Sequence, residues 1–142
     1  MSATPVIEGI VETVLYTDDL PRAVTFYRDV LGLPPIAGDG VRFRALKVSG
    51  RQVLLLFRRG ATSEPMAVPS GGTIPPHDGS GPHHLGFAIT HDAYEPWLAR
   101  LRAAGVAIES EAKWDRGGRS LYFRDPDGHM LELLTPGLWP NY

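Results

Sequence analysis

The chain repeats itself, and the repeat restricts what it can fold into more than any other feature. Ile7 to Tyr16 is rich in Val, Ile and Thr and reads as a strand with Glu12 in its middle. Asp18 and Asp19 offer helix N-caps, and Pro21 falls in the first turn, where a missing N–H is tolerated. Val24, Tyr27, Val30 and Leu31 recur at helical spacing, Gly32 can close the helix, and Pro34-Pro35 stops it. Strands follow over Val41 to Val48 and Gln52 to Phe57, joined at Ser49-Gly50. The order then restarts. His84 to Thr90 reads as a strand, and Asp92 with Glu95 three residues later reads as a capping box. Tyr94, Trp97, Leu98 and Leu101 form an apolar helical stripe that ends at Gly105. Short strands over Val106 to Glu109 and Ser120 to Phe123, the turn Asp125-Pro126-Asp127-Gly128, and a last strand, Met130 to Leu134, complete the second half.

Glu12 opens one half and His84 the other. Gly32-Leu33 corresponds to Gly105-Val106, and Ser49-Gly50 to Asp127-Gly128. The economical reading is an α+β chain of two paired βαβββ modules forming a cupped mixed sheet. The expected boundaries are 1–59 for the first module, 60–82 for a linker and 83–142 for the second module with its tail. Neither module is large enough to be comfortable alone, so the sheets share a core or pair with a second chain. The linker holds five prolines and has no periodicity, and long loops of that kind are usually functional or disordered.

Composition excludes several classes. With 14 basic and 16 acidic residues the net charge is -2, which leaves no electrostatic footprint for nucleic acid or an anionic membrane. A hydrophobic fraction of 43% supports a real core. There is no cysteine, hence no disulfide, thiolate metal site or cysteine nucleophile. The N-terminal residues do not form a signal peptide, and no apolar run approaches the roughly 20 residues that span a bilayer. A soluble, cytoplasmic protein is expected.

Three segments carry a resemblance. They are Asp19-Leu20-Pro21-Arg22-Ala23 with Phe26-Tyr27-Arg28-Asp29-Val30-Leu31-Gly32-Leu33, His84-Leu85-Gly86-Phe87-Ala88-Ile89, and Tyr122-Phe123-Arg124-Asp125-Pro126-Asp127-Gly128-His129-Met130-Leu131-Glu132-Leu133. Together they resemble the vicinal-oxygen-chelate superfamily of glyoxalases, bleomycin-resistance proteins and extradiol dioxygenases. The likeness covers nearly the whole chain outside the linker. It is specific for fold and weak for reaction, because the superfamily hosts many chemistries. It implies a divalent metal in the cup, with ligands from the first strand of each module and the last strand of the second. By position these are Glu12, His84 and Glu132. Two departures stand out. Dioxygenases and fosfomycin-resistance enzymes of the superfamily have His where this chain has Glu12. The extra glyoxalase carboxylate is absent from Val53-Leu54-Leu55-Leu56-Phe57.

Read from their own surroundings, Glu12 and Glu132 have a simpler alternative, in which each faces solvent or pairs with an arginine. The coincident placement of Glu12 and His84 in the two repeats favours the metal. Two carboxylates and an imidazole suit Mn, Fe, Co, Ni or Zn and leave open positions for substrate oxygens. His77, in the linker, is either an exposed histidine or a base folded over the cup. Glu132 doubles as a candidate catalytic group. Trp114, Arg119 and Tyr122 are candidate substrate contacts, against a core role for Tyr122 and an exposed one for Arg119. His83 should point away from His84, and His91 and His129 read as surface residues. The exposed-looking Leu138-Trp139-Pro140 and the open sheet edges suggest a homodimer. The expected function is a metal-dependent, glyoxalase- or dioxygenase-like enzyme acting on a small oxygen-bearing molecule. The alternative is a metal-free protein that sequesters a drug or metabolite.

Overall fold

The computed structural model describes residues 2–142. The first module runs β1 (Glu12–Thr17), α1 (Leu20–Thr25), a π-helical turn over Phe26–Val30, then β2 (Pro35–Ala37), β3 (Phe43–Ser49) and β4 (Gln52–Arg58). A small hairpin of β5 (Met66–Ala67) and β6 (Thr73–Ile74) follows. The second module runs β7 (His84–Ala88), a 3-10 turn over His91–Ala93, α2 (Tyr94–Ala103), β8 (Ile108–Lys113), β9 (Arg119–Arg124) and β10 (Met130–Leu134). The two four-stranded sheets have the equivalent orders β1-β4-β3-β2 and β7-β10-β9-β8. In each, the opening strand runs parallel to the closing one and the other pairs are antiparallel.

Local chemistry accounts for most of the elements. Asp19 caps α1, its Oδ1 accepting the Arg22 N–H at 3.1 Å, with Pro21 in the first turn. Gly32 turns the chain at φ +73, a conformation an L side chain resists. The capping box expected at Asp92 and Glu95 does not form. No side chain caps the second helix, and Glu95 reaches Arg119 at 3.0 Å instead. The first strand is also shorter than its composition suggests. Residues 7–10 have no strand pairing and Val11 adds one bond, its carbonyl accepting the Val53 N–H at 2.8 Å, so Glu12 stands at the start of β1 and not in its middle.

Strand alternation divides each sheet into two faces. Leu15, Leu46, Leu54 and Leu56 of the first sheet and Leu121, Phe123, Leu131 and Leu133 of the second enter one shared core with Tyr27, Tyr94 and Leu101. The opposite faces carry Glu12, Val14, Tyr16, Leu55 and Phe57 on one sheet and His84, Glu132 and Tyr122 on the other. Buried polar bonds lock the modules together. Tyr27 Oη donates to Asp125 Oδ2 at 2.6 Å, and Thr17 Oγ1 donates to Asp127 Oδ2 at 2.7 Å. His129 lies between the modules and is only 1% exposed, which corrects its expected surface position. Its imidazole accepts the His83 N–H at 2.9 Å through Nδ1 and meets the Tyr16 carbonyl at 2.8 Å through Nε2. No helix among the described residues is long and apolar enough to cross a membrane.

Candidate metal centre

On the second sheet, His84 sits opposite Met130, and Glu132 lies between Gly86 and Tyr122. His84 Nε2 is 3.2 Å from Glu132 Oε1, and Tyr122 Oη donates to Oε2 at 3.2 Å. Glu132 is 6% exposed, a position where a carboxylate needs charge compensation or several donors. Burial raises the Tyr122 phenol above its usual range, and the Glu132 charge adds to it, so the hydroxyl remains a donor. The far side of the His84 ring fixes its tautomer. Nδ1 lies 2.9 Å from the Met130 carbonyl, which can only accept, so Nδ1 carries the hydrogen. Nε2 therefore turns toward a carboxylate oxygen, at a separation that a direct ion pair or two ligands of one cation both satisfy. A backbone carbonyl behind a ligating histidine is the usual support of a metal site.

Glu12 is not brought to this pair. It lies exposed on the outer face of the first sheet, lining a separate cavity with Tyr16, Arg42 and His77. Among the described residues no three His, Asp or Glu side chains gather closely enough to hold an ion. One chain thus supplies two of the expected ligands at one place and the third at another.

The segment expected to be a structureless linker is folded over the first cavity. The β5–β6 hairpin is closed at its base where the His77 N–H donates to the Thr62 carbonyl at 3.0 Å and Thr62 Oγ1 donates back to the His77 carbonyl. Asp78 accepts the Gly60 N–H at 3.1 Å. His77 meets Tyr16 Oη through Nδ1 at 2.6 Å and the Phe57 ring edge-on at 4.8 Å between centroids. Burial, then the charge of Asp78, raises the Tyr16 phenol, so the hydroxyl keeps its proton. Tyr16 was not singled out in the sequence, although its spacing of two and four residues from Val14 and Glu12 places all three on one strand face. Arg42 carried no sequence signal.

The remaining candidates separate. Trp114 Nε1 donates to Ser120 Oγ at 2.8 Å, and Ser120 is two residues from Tyr122 on the same face of β9. Arg119 lies on the opposite face, its guanidinium 3.7 Å from the Tyr94 ring centroid and paired with Glu95. That places it on the helix side of the sheet, away from the His84–Glu132 pair.

The family profile of the Glyoxalase/Bleomycin resistance protein/Dioxygenase superfamily matches residues 9–133, both modules together. The chain belongs to this superfamily. Within it, the chain is similar to a glutathione transferase, FosA, of Serratia marcescens, with 30% identity over 93% of this chain and 84% of the relative. It is 33% identical to a metallothiol transferase, FosB, of Staphylococcus epidermidis over 82% of this chain and 74% of the relative. Among solved structures, a lactoylglutathione lyase from Agrobacterium tumefaciens superimposes with a TM-score of 0.84 at 35% identity, covering 94% of this chain and 98% of that one.

Proposed function

We propose that the protein is a metal-dependent enzyme acting on a small oxygen-bearing molecule, its divalent ion held by His84, Glu132 and Glu12 of the partner subunit. The observation that carries this reading is His84 Nε2 facing the buried Glu132 carboxylate at 3.2 Å, with Nδ1 held by the Met130 carbonyl. A protein that only sequesters a ligand has no use for that arrangement. The third ligand comes from assembly. β1 and β7 are both edge strands with one free side, and Val6, Ile7, Ile10 and Val11, just before β1, are exposed apolar residues. A two-fold homodimer that sets β1 of each chain against β7 of the other covers those edges and carries each Glu12 toward the other chain's pair. Two carboxylates and one imidazole suit Mn, Fe, Co, Ni or Zn and leave positions open. When bound, the ion supplies Lewis-acid polarisation of a substrate oxygen.

The residues divide the remaining work. Tyr122 orients Glu132, which is placed to exchange a proton with bound substrate. His77, oriented by Tyr16, is a second acid–base group at the Glu12 end, and Trp114 walls the far end of the second face. Arg119 serves the fold. The relatives' names, which include metallothiol and glutathione transferases and a fosfomycin resistance protein, support a metalloenzyme and set the first substrates to screen, fosfomycin with a thiol.

The test is subunit complementation. Glu12→Ala and His84→Ala homodimers should each lose tight metal binding. After mixing and subunit exchange, half the dimers are mixed and each holds one intact centre, so about a quarter of the wild-type metal content should return. No recovery in a verified mixed dimer would remove Glu12 of the partner subunit from the ligand set.

A further inference from the structure

The first-sheet cavity holds an arginine with an unsatisfied N–H. Arg42, just before β3, lines it with Phe43, Phe57, Leu55 and Met66 beneath the β5–β6 hairpin. Its Nε is buried and has no hydrogen-bond partner, alone among buried side-chain polar atoms of the described residues. One terminal nitrogen contacts the sulfur of Met66, a weak acceptor. None of the ion pairs among the described residues involves Arg42. Glu12 and Glu64 line the same cavity without reaching it. A guanidinium stays charged, so a buried N–H without an acceptor is a cost that an incoming oxygen relieves. The planar fork matches a carboxylate in particular.

The rest of the cavity is apolar and partly aromatic. Its volume of about 530 Å³ lies in the range of drug-sized ligand sites. The Phe43 and Phe57 rings stack at 5.2 Å between centroids and 17° between planes, and the Arg42 guanidinium carbon lies 5.6 Å from the Phe43 centroid. Flat faces beside a cation favour a flat partner, since offset stacking adds to the gain from burying its area. Glu12 and Glu64 disfavour an anion elsewhere in the cavity, which orients the ligand.

We propose that this cavity is the substrate pocket and that it takes an aryl group bearing a carboxylate or similar oxyanion, the ring lying against Phe43 and Phe57 and the oxyanion paired with Arg42. In naming the pocket as the substrate's, the inference rests on the enzyme reading above. Ligand binding itself needs no metal.

The experiment is therefore run on the metal-free, full-length protein carrying 13C-methyl methionine. The chain has 3 methionines, of which Met66 lines the cavity and Met130 lies opposite His84 on the other sheet. Benzoate should shift the Met66 methyl saturably through its ring current. Benzyl alcohol, which lacks the charge, should bind about tenfold more weakly or worse. Cyclohexanecarboxylate, which lacks the flat ring, should bind at least about twofold more weakly. Arg42→Met should lose about tenfold in benzoate affinity, with an unchanged Met130 resonance reporting an intact fold. If that variant does not fold, the three ligands on the wild type decide. Equal binding of benzyl alcohol, full benzoate affinity in folded Arg42→Met, no saturable shift, or a shift confined to Met130 would each overturn the proposal. A protein that binds metal as proposed and ignores benzoate loses this inference alone. One that binds benzoate but no metal loses the enzyme reading, and with it the cavity's naming as a substrate pocket, and keeps the aryl-oxyanion site.

Discussion

Replacing Tyr27 with Phe removes one oxygen and tests how firmly the two modules are joined. Tyr27 is fully buried, and its hydroxyl donates to Asp125 Oδ2 at 2.6 Å across the module boundary. Asp125 is 5% exposed, and its other oxygen accepts the N–H groups of Asp127 and His129, each at 2.9 Å. Without the phenol, Oδ2 remains buried and loses its side-chain donor. A hydrogen bond to a charged group contributes about 1.5–3 kcal/mol, so the variant should lose about 2 kcal/mol. With a urea m-value of about 2 kcal/mol/M, the midpoint should fall by about 1 M while the slope holds. Equilibrium unfolding by circular dichroism, at matched protein concentration because a dimer's stability depends on it, reads this directly. The alkaline limb gives an independent check. Burial, then the charge of Asp125, holds the Tyr27 phenol well above its ordinary value of 10.0, so the folded state keeps a proton the unfolded state releases. That stabilisation is complete below about pH 10 and is lost as pH rises through the folded value, and the Tyr27→Phe variant should show a flatter decline. A variant within about 0.5 kcal/mol of wild type, with the same slope, would refute the reasoning: the modules would not be bolted together at this point.

Gly79→Ala should dislodge the segment folded over the first cavity, because a Cβ there would lie 2.5 Å from the Tyr16 ring, which is itself held by His77. An overpacking loss of about 1–3 kcal/mol and faster proteolysis within residues 60–82 are expected, and an unchanged melting curve would count against the close approach. Burial, followed by the bond to Glu111, pushes the Tyr94 phenol up to about 12, so its stabilisation is present below pH 10 and declines as pH rises toward that value. Tyr94→Phe should therefore show a shallower loss of stability over that window in urea titrations, and an unaltered pH slope would contradict the assignment.

What could be read from the sequence is what repeats or alternates. Two similar strings of periodic segments gave the two-sheet α+β fold and most strand positions. What could not be read depends on partners distant in the chain. His129 follows a turn glycine and looks exposed, yet it is buried because Tyr16 and His83 meet its two nitrogens. Residues 60–82 have no periodicity because their hairpin is only two residues per strand and is held by Thr62, His77 and Asp78. Arg119 is one residue out of phase with Ser120, and strand alternation sends it to the helix side. Glu12 illustrates another limit: equivalence in a repeat predicts equivalent places on two sheets, not proximity within one chain.

The imidazole of His129 touches both halves of the molecule. One nitrogen meets the backbone of Tyr16, in the wall of the first cavity, and the other holds the N–H of the residue immediately before His84. In a dimer assembled as proposed, these two ends belong to different active centres, since each centre combines the first module of one chain with the second module of the other. A single rigid five-membered ring is then a mechanical tie between them.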